Sequence, residues 1–444
     1  MGYTIAVSGA AGRIGKIYVP KLLAQGHVVR AYDVNRMKLE QLYKGTGAVL
    51  CTNNRQLVEG ADAVLLFVPV PKVPEVLKEM NPSRPSKAGG IPNYLRPDVV
   101  IGSAASSKEG VANQEQWHIA QERYPHARIV DFHPMHGEQT GTSDFPKGQN
   151  ILTVPVRDFP YRGKTGEALL HELFLPMGAN VKHVGSAVQH DEILSDPQGG
   201  NHCIAFSRDT AWHLAGTDPD MNDVYADPLG DAKSLHSRRP LALNLEVYPV
   251  TMQHNRFVKS YIQQYEEVLA EIYRMIIEGE REALYKMFDE AREHIGHDAI
   301  RDARDRLEVS YGRNLYGTSN SHISDLAWGE LYKRRNKRPA DFLEFESPHY
   351  AIGRAILCAA LGGDTRRFVD NAIDVPETRW QDYNYGRAVA VINQIVQSGD
   401  EAALLNHLQR LKRFFSSSGM KRDLGKIAED STELSRKLRE SAYS

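Results

Sequence analysis

Residues 8–15 read Ser-Gly-Ala-Ala-Gly-Arg-Ile-Gly, between an apolar run at 3–7 and a helical pattern at 13–24 that stops at Gly26. A strand that passes through such small residues straight into a helix leaves few architectures open. The backbone must turn tightly there, come close to a pyrophosphate, and let the helix pack against the strand. The helix N terminus then offers unpaired N–H groups and the positive end of its dipole to phosphates. A second strand at 28–33 ends on Asp33, 18 residues past Gly15. A carboxylate there accepts hydrogen bonds from both adenosine ribose hydroxyls and repels a 2′-phosphate, which favours NAD. Arg36 is close enough to keep NADP open. The turn departs from Gly-x-Gly-x-x-Gly, because Ala10 stands where the first glycine would be if Gly12 and Gly15 are the other two. Gly9 is expected to supply the turn instead. The expected cofactor contacts are Gly9, Ala11, Gly12, Arg13, Ile14, Gly15, Asp33, Arg36 and Val68.

Further apolar runs follow at 63–68, 99–102, 129–132 and 151–156, separated by helical patterns. Strands alternating with helices predict βαβ units: an α/β, Rossmann-like, doubly wound parallel sheet over residues 1–185. The segment 81–97, with four prolines and two glycines, reads as a surface loop. From about 186 onward strand signals vanish, and all-α helical patterns take over. The expected division is a first helical domain at 186–315 and a second, resembling it, at 316–444. An internal repeat underlies that division. Ile272, Ile276, Gly279, Ala283, Leu284, Phe288 and Ile295 recur 120 residues later as Ile392, Val396, Gly399, Ala403, Leu404, Leu408 and Phe415. Each copy places a glycine and then an acidic residue between two amphipathic helices, as a repeated helical hairpin would. The polar stretch 316–339, with its basic run at 333–338, reads as a solvated linker or helix end.

Composition bounds the partners. Lys+Arg number 54 and Asp+Glu 56, a net charge of −2, which argues against nucleic acid or a polyanionic surface. No apolar run approaches the roughly 18 residues of a membrane span, so no membrane partner is expected. The three cysteines, Cys51, Cys203 and Cys358, are far apart and lack paired spacing. Neither a disulfide framework nor a zinc ribbon is supported, and a reducing cytoplasm is the simplest setting.

Three clusters carry possible chemistry. Residues 102–108 (Gly-Ser-Ala-Ala-Ser-Ser-Lys) and 131–137 (Asp-Phe-His-Pro-Met-His-Gly) each follow a strand, where ligands of open α/β sheets bind. The third, at 190–202, runs from His190-Asp191 through Gln198 to His202. Ser106 would also suit a helix N-cap, and the histidines would also suit a satisfied core. The spacing is not that of a metal site.

Together these residues resemble the prephenate dehydrogenase family. The order is a glycine-rich turn, an acidic ribose residue, Ser-x-Lys after a strand, His-Pro-Met-x-Gly, then His-Asp followed by Gln-x-x-x-His. The resemblance covers nearly the whole chain and looks closest to the long fungal-type form, which has two helical segments. Residues 320–323 and 347–350 look like parts of the passage into the second. It implies that Ser106 and His133 surround the C4 hydroxyl of a prephenate-like dicarboxylate. His202, Gln198, Lys108 and Glu138 would line the substrate site, and Arg238 or Arg239 would grip a carboxylate. Glu138 and Gln139 depart from many members, and 216–237 looks like a polar insert. The resemblance also implies dimers through the helical domains. The repeat here suggests a monomer with an internal pseudo-dimer, or a homodimer. Arogenate or 4-amino-4-deoxyprephenate would need nearly the same residues, Glu138 being suited to an ammonium. A non-catalytic dinucleotide-binding protein is the reading from another class.

Overall fold

The computed structural model describes residues 2–80, 95–96, 98–109, 111–137, 146–217, 228–312, 322–417 and 422–440. The chain forms two compact units, Met1–Glu192 and Ile193–Ser444.

The first unit is built on strands β1 (Thr4–Ser8), β2 (Val28–Tyr32), β3 (Val49–Leu50), β4 (Ala63–Leu66), β5 (Val100–Ser103), β6 (Arg128–Pro134), β7 (Asn150–Arg157) and β8 (Asn180–His183). Their order is β3-β2-β1-β4-β5-β6-β7-β8. The first six are parallel, the dinucleotide-fold order. β7 pairs antiparallel to β6, and β8 runs parallel to β7. Helices α1 (Gly15–Ala24), α2 (Arg36–Tyr43), α3 (Asn54–Leu57), α4 (Val73–Met80), α5 (Val111–Arg123), α6 (Gly166–Phe174) and α7 (Ala187–Leu194) complete it. Alternate strand residues feed two cores. Ile5, Val7 and Leu65 join Leu22 and Leu170 in one, while Ala6, Val64 and Leu66 join Leu77 and Trp117 in the other. Burial on both faces explains why these strands read as continuous apolar runs. β4 stops at Leu66, two residues before the expected end, and this frees Phe67 and Val68 to turn towards the glycine loop.

The second unit is helical: α8 (Asn201–Ala215), α9 (Pro228–Ala242), α10 (Arg256–Glu278), α11 (Arg281–Ile295), α12 (His297–Tyr311), α13 (Ile323–Arg334), α14 (Pro348–Leu361), α15 (Thr365–Asp374), α16 (Pro376–Ser398), α17 (Glu401–Phe415) and α18 (Leu424–Glu440). Two expectations change. The supposed insert at 216–237 contains the start of α9, whose residues from Pro228 to Leu241 are nearly all buried. The supposed linker at 316–339 contains α13, buried from Ile323 to Tyr332. Both helices look polar because they bury charge in pairs, which periodicity does not reveal. The basic run ends α13 in ion pairs. Lys333 meets Glu290 and Glu330, Arg334 meets Glu271 and Glu330, and Arg335 meets Asp196. Most of the 81–97 loop lies outside the described residues.

The repeat is visible as geometry. α10 and α16 have 23 residues each, and each ends on a left-handed glycine, Gly279 or Gly399. α11 and α17 have 15 each. α9 and α14 both open with a proline, Pro228 and Pro348. Equivalent residues also meet each other. The Tyr265 and Tyr385 hydroxyls are 3.3 Å apart, and the Arg208 guanidinium lies 5.9 Å from the Trp328 ring centre. Asn393 donates to Gln263 Oε1 at 3.0 Å, and the exchanged pair, Tyr273 and Tyr383, has ring centres 5.7 Å apart. Contacts that repeat with the copies exchanged are the mark of an approximate two-fold axis.

Among the described residues no helix is long and apolar enough to cross a membrane. Phe288 and Leu408 occupy equivalent, fully buried places in the helical core. Phe288→Ala should cost about 3–5 kcal/mol and Leu408→Ala about 2–5 kcal/mol in urea unfolding. Losses below about 1 kcal/mol would show that the hairpins are not integral to that core.

Candidate functional site

The glycine turn sits as the sequence requires. Gly9 has φ +78, and a Cβ there would lie 2.5 Å from the Phe67 carbonyl oxygen. A Cβ on Gly15 would lie 2.3 Å from the Gly9 oxygen, so the start of α1 can approach β1 only without a side chain. No side chain caps α1, whose N-cap is Ile14. Its first N–H groups suit phosphates. Asp33 Oδ2 accepts from the Ala11 amide at 3.0 Å and Oδ1 from the Asn35 amide at 2.9 Å. That fixes the carboxylate beside the turn. Val68 lies against Gly9, with Cγ1 3.1 Å from where a Cβ would stand. Arg13 is exposed, and so is Arg36, which pairs with Glu40 at 2.9 Å.

A buried polar chain stands beyond the strand ends of the same unit. Asp191 Oδ1 accepts from the Lys108 amide at 2.7 Å and from His190 Nδ1 at 2.8 Å. Its Oδ2 accepts from Ser107 Oγ at 2.7 Å and from the Glu109 amide at 2.9 Å. Burial alone would raise this carboxyl, but His190 and the two amides hold it below its ordinary value. It therefore stays ionised and takes the Nδ1 proton of His190. His190 Nε2, left as acceptor, receives the Nδ1–H of His133 at 3.1 Å. This assignment, drawn from the hydrogen-bond network, puts the lone pair of His133 on Nε2. Burial, then His190, Lys108 and His136, push the His133 imidazole well below its usual value, so it is neutral. His136 Nε2 meets the Tyr18 hydroxyl at 2.7 Å.

Two expectations shift here. Lys108 is not open to a ligand, since its Nζ serves Asp131 at 2.9 Å and the Phe132 carbonyl at 2.9 Å inside the fold. Ser106 is half-buried and makes no side-chain hydrogen bond among the described residues, whereas its neighbour Ser107 enters the network. Glu138 lies outside the described residues.

The helical unit holds a second cluster. Arg238 is fully buried, bonds Ser234 Oγ and lies over the Phe415 ring at 5.6 Å. Arg239 is buried beside it. Arg208 donates to Asp325 Oδ1 at 2.6 Å, and Lys233 pairs with the other oxygen. Arg208 also reaches His236 Nδ1 at 3.2 Å, while His236 Nε2 donates to Asn201 Oδ1 at 2.9 Å. That pattern requires a neutral His236. His202 is half-buried; burial, then Arg239, pull its imidazole down to about 3. Gln198, also half-buried, lies on the π-helical turn Ser195–Gly200 that leads into α8. Asp209 is buried, and both its oxygens lack a hydrogen bond among the described residues. Sequence reasoning missed Arg208, Asp209, His236 and Asp325, which show no motif. It had only the dipeptide His190-Asp191 as a sign of the chain in the first unit. Among the described residues no three His, Cys, Asp or Glu side chains converge on a metal-sized site.

The model of the family described as "6-phosphogluconate dehydrogenase C-terminal domain" matches residues 200–428. The chain belongs to that family. A second family model, "NADP oxidoreductase coenzyme F420-dependent", matches residues 4–89. A probable arogenate/prephenate dehydrogenase of Methanocaldococcus jannaschii is 21% identical over 302 residues, 68% of this chain. The chain spans 63% of the length of that relative. Among solved structures, prephenate dehydrogenase from Aquifex aeolicus is similar at TM-score 0.48 and 18% identity, covering 64% of this chain and 96% of its own. Arogenate dehydrogenase from Synechocystis is similar at TM-score 0.47 and 15% identity, covering 65% and 96%.

The buried neutral histidines make stability depend on pH. Below about pH 6.5 the unfolded chain binds protons that His133, His202 and His236 refuse in the fold. Their contribution is complete above 6.5 and is lost as pH falls towards the folded values. The loss is at most about 1.4 kcal/mol per pH unit for each histidine. Thermal unfolding from pH 7.5 to 5 should show Tm falling with acid, and His236→Gln should flatten that fall.

Proposed function

We propose that this chain is a nicotinamide-dependent dehydrogenase that oxidatively decarboxylates prephenate or its close analogue arogenate, a step leading towards tyrosine. The observation that carries this reading is the chain Asp191–His190–His133, which leaves a neutral base at His133 Nε2. The family match and the named relative support the reaction class.

Nicotinamide dinucleotide, when bound, supplies the hydride acceptor. Gly9 and Gly15 let the turn and the start of α1 pack tightly, so that the first N–H groups of α1 would meet its pyrophosphate, and Asp33 would accept from its ribose hydroxyls, which favours NAD. His133 Nε2 takes the proton of the substrate's C4 hydroxyl as hydride leaves C4 and the ring carboxylate departs as CO2. Aromatisation drives the step, so the protein positions and polarises. Ser106 orients that hydroxyl. In the helical unit Arg238 or Arg239 would grip a carboxylate, and His202 and Gln198 would line the same pocket. We further propose that this is the long, fungal-type form, whose helical segments at 186–315 and 316–444 pair within one chain, so that the protein is a monomer.

Purified protein with NAD+ and prephenate or arogenate should produce reduced nicotinamide. His133→Asn should lower kcat about 10²–10⁴-fold, the range of a lost general base. The base limb of the pH profile of kcat/KM should lie below 6.5, because burial depresses His133. Asp33→Ser should move preference from NAD towards NADP, read as the ratio of kcat/KM values. No turnover of either substrate would overturn the reading, and so would a His133→Asn variant that keeps full rate. A mass of two chains in light scattering would overturn the monomer.

A further inference from the structure

His349 is a buried polar group that the proposed mechanism leaves unused. It lies at the start of α14, in the second copy of the helical repeat, and its exposure is only 4%. Its ring stacks on His236 at 4.2 Å and 4° and on His202 at 4.8 Å and 16°. Both of those histidines belong to the first copy. Neither ring nitrogen of His349 has a hydrogen-bond partner among the described residues. Keeping such a group buried and unsatisfied is costly, so its place calls for a functional reason.

Comparison of the copies shows how one-sided this place is. At the offset of 120, Arg208, His236, Arg238 and Arg239 correspond to Trp328, Ile356, Cys358 and Ala359. His202 corresponds to His322, which is committed to Asp382 at 2.8 Å. His349 itself corresponds to Leu229. The first copy therefore holds the cationic groups, the second has lost them, and the second sends one histidine back across the approximate two-fold.

We infer that the helical unit holds one carboxylate-binding site per chain, built on the first copy, and that His349 of the second copy is its positioning residue, donating a ring N–H to the carboxylate held by Arg239. Burial keeps His349 neutral, with one donor nitrogen and one acceptor nitrogen. The inference rests on the proposed function for the identity of the ligand. The second copy then acts as a captive partner subunit, which closes the site without needing a site of its own.

The test compares the full chain with His349→Phe, which keeps a flat ring in the stack, and His349→Gln, which restores an N–H. With NAD+ and prephenate, the phenylalanine variant should raise KM about 10- to 100-fold, the worth of a hydrogen bond to a charged group. Its kcat should change less than about threefold and its Tm by less than about 2 °C. The glutamine variant should recover part of the loss, and calorimetric titration should find one ligand per chain. An unchanged KM, two ligands per chain, or a fallen Tm with no recovery in His349→Gln would overturn the inference. If the parent turns over neither prephenate nor arogenate, the proposed function fails by itself. The inference is then read from ring ¹⁵N resonances on adding 4-hydroxyphenylpropionate. A shift at His349, assigned by its loss in His349→Phe, supports it, and an unmoved resonance overturns it.

Discussion

A carboxylate that is both buried and ionised needs donors on every side, and Asp191 collects four of them. Three come from residues 107–109, just after β5, and the fourth from its neighbour on α7. One charge thereby ties a strand-end loop to a helix far along the chain. It also fixes the tautomer of His190 and, through it, that of His133. If Asp191 were lost, a buried histidine pair would remain with no orientation, and the loop after β5 would lose its anchor.

The helical unit solves the same problem with Asp325. Its two oxygens take Arg208 and Lys233 from α8 and α9, while it also receives the His322 amide that opens α13. Burial would raise this carboxyl, but Lys233 and Arg208 pull it far below its ordinary range. The first and second copies of the repeat are therefore joined by charge as well as by apolar contacts. The copies differ in charge, since Arg208, His236, Arg238 and Arg239 of the first stand opposite Trp328, Ile356, Cys358 and Ala359 of the second.

Much of the frame was legible beforehand. The glycine turn, Asp33 and the apolar strands are local signals, set by backbone geometry and by burial on both faces. The paired hairpins were visible because apolar spacing survives duplication. α9 and α13 were not, because periodicity counts apolar residues and these helices bury charged ones. The bond of Ser107 to Asp191 is not legible, since two adjacent serines in a loop differ only in which way each points.

The sequence by itself determined the dinucleotide-type sheet, the change to helices and the two-copy pattern, all of which follow from short-range spacing. Only the tertiary structure decided that His133 is oriented by His190 and Asp191, 57 residues and more away, and that Lys108 faces inward. It alone brought His349 onto His202 and His236. Hydrogen bonds and ring stacks act over a few ångströms in space, and sequence distance carries no record of them.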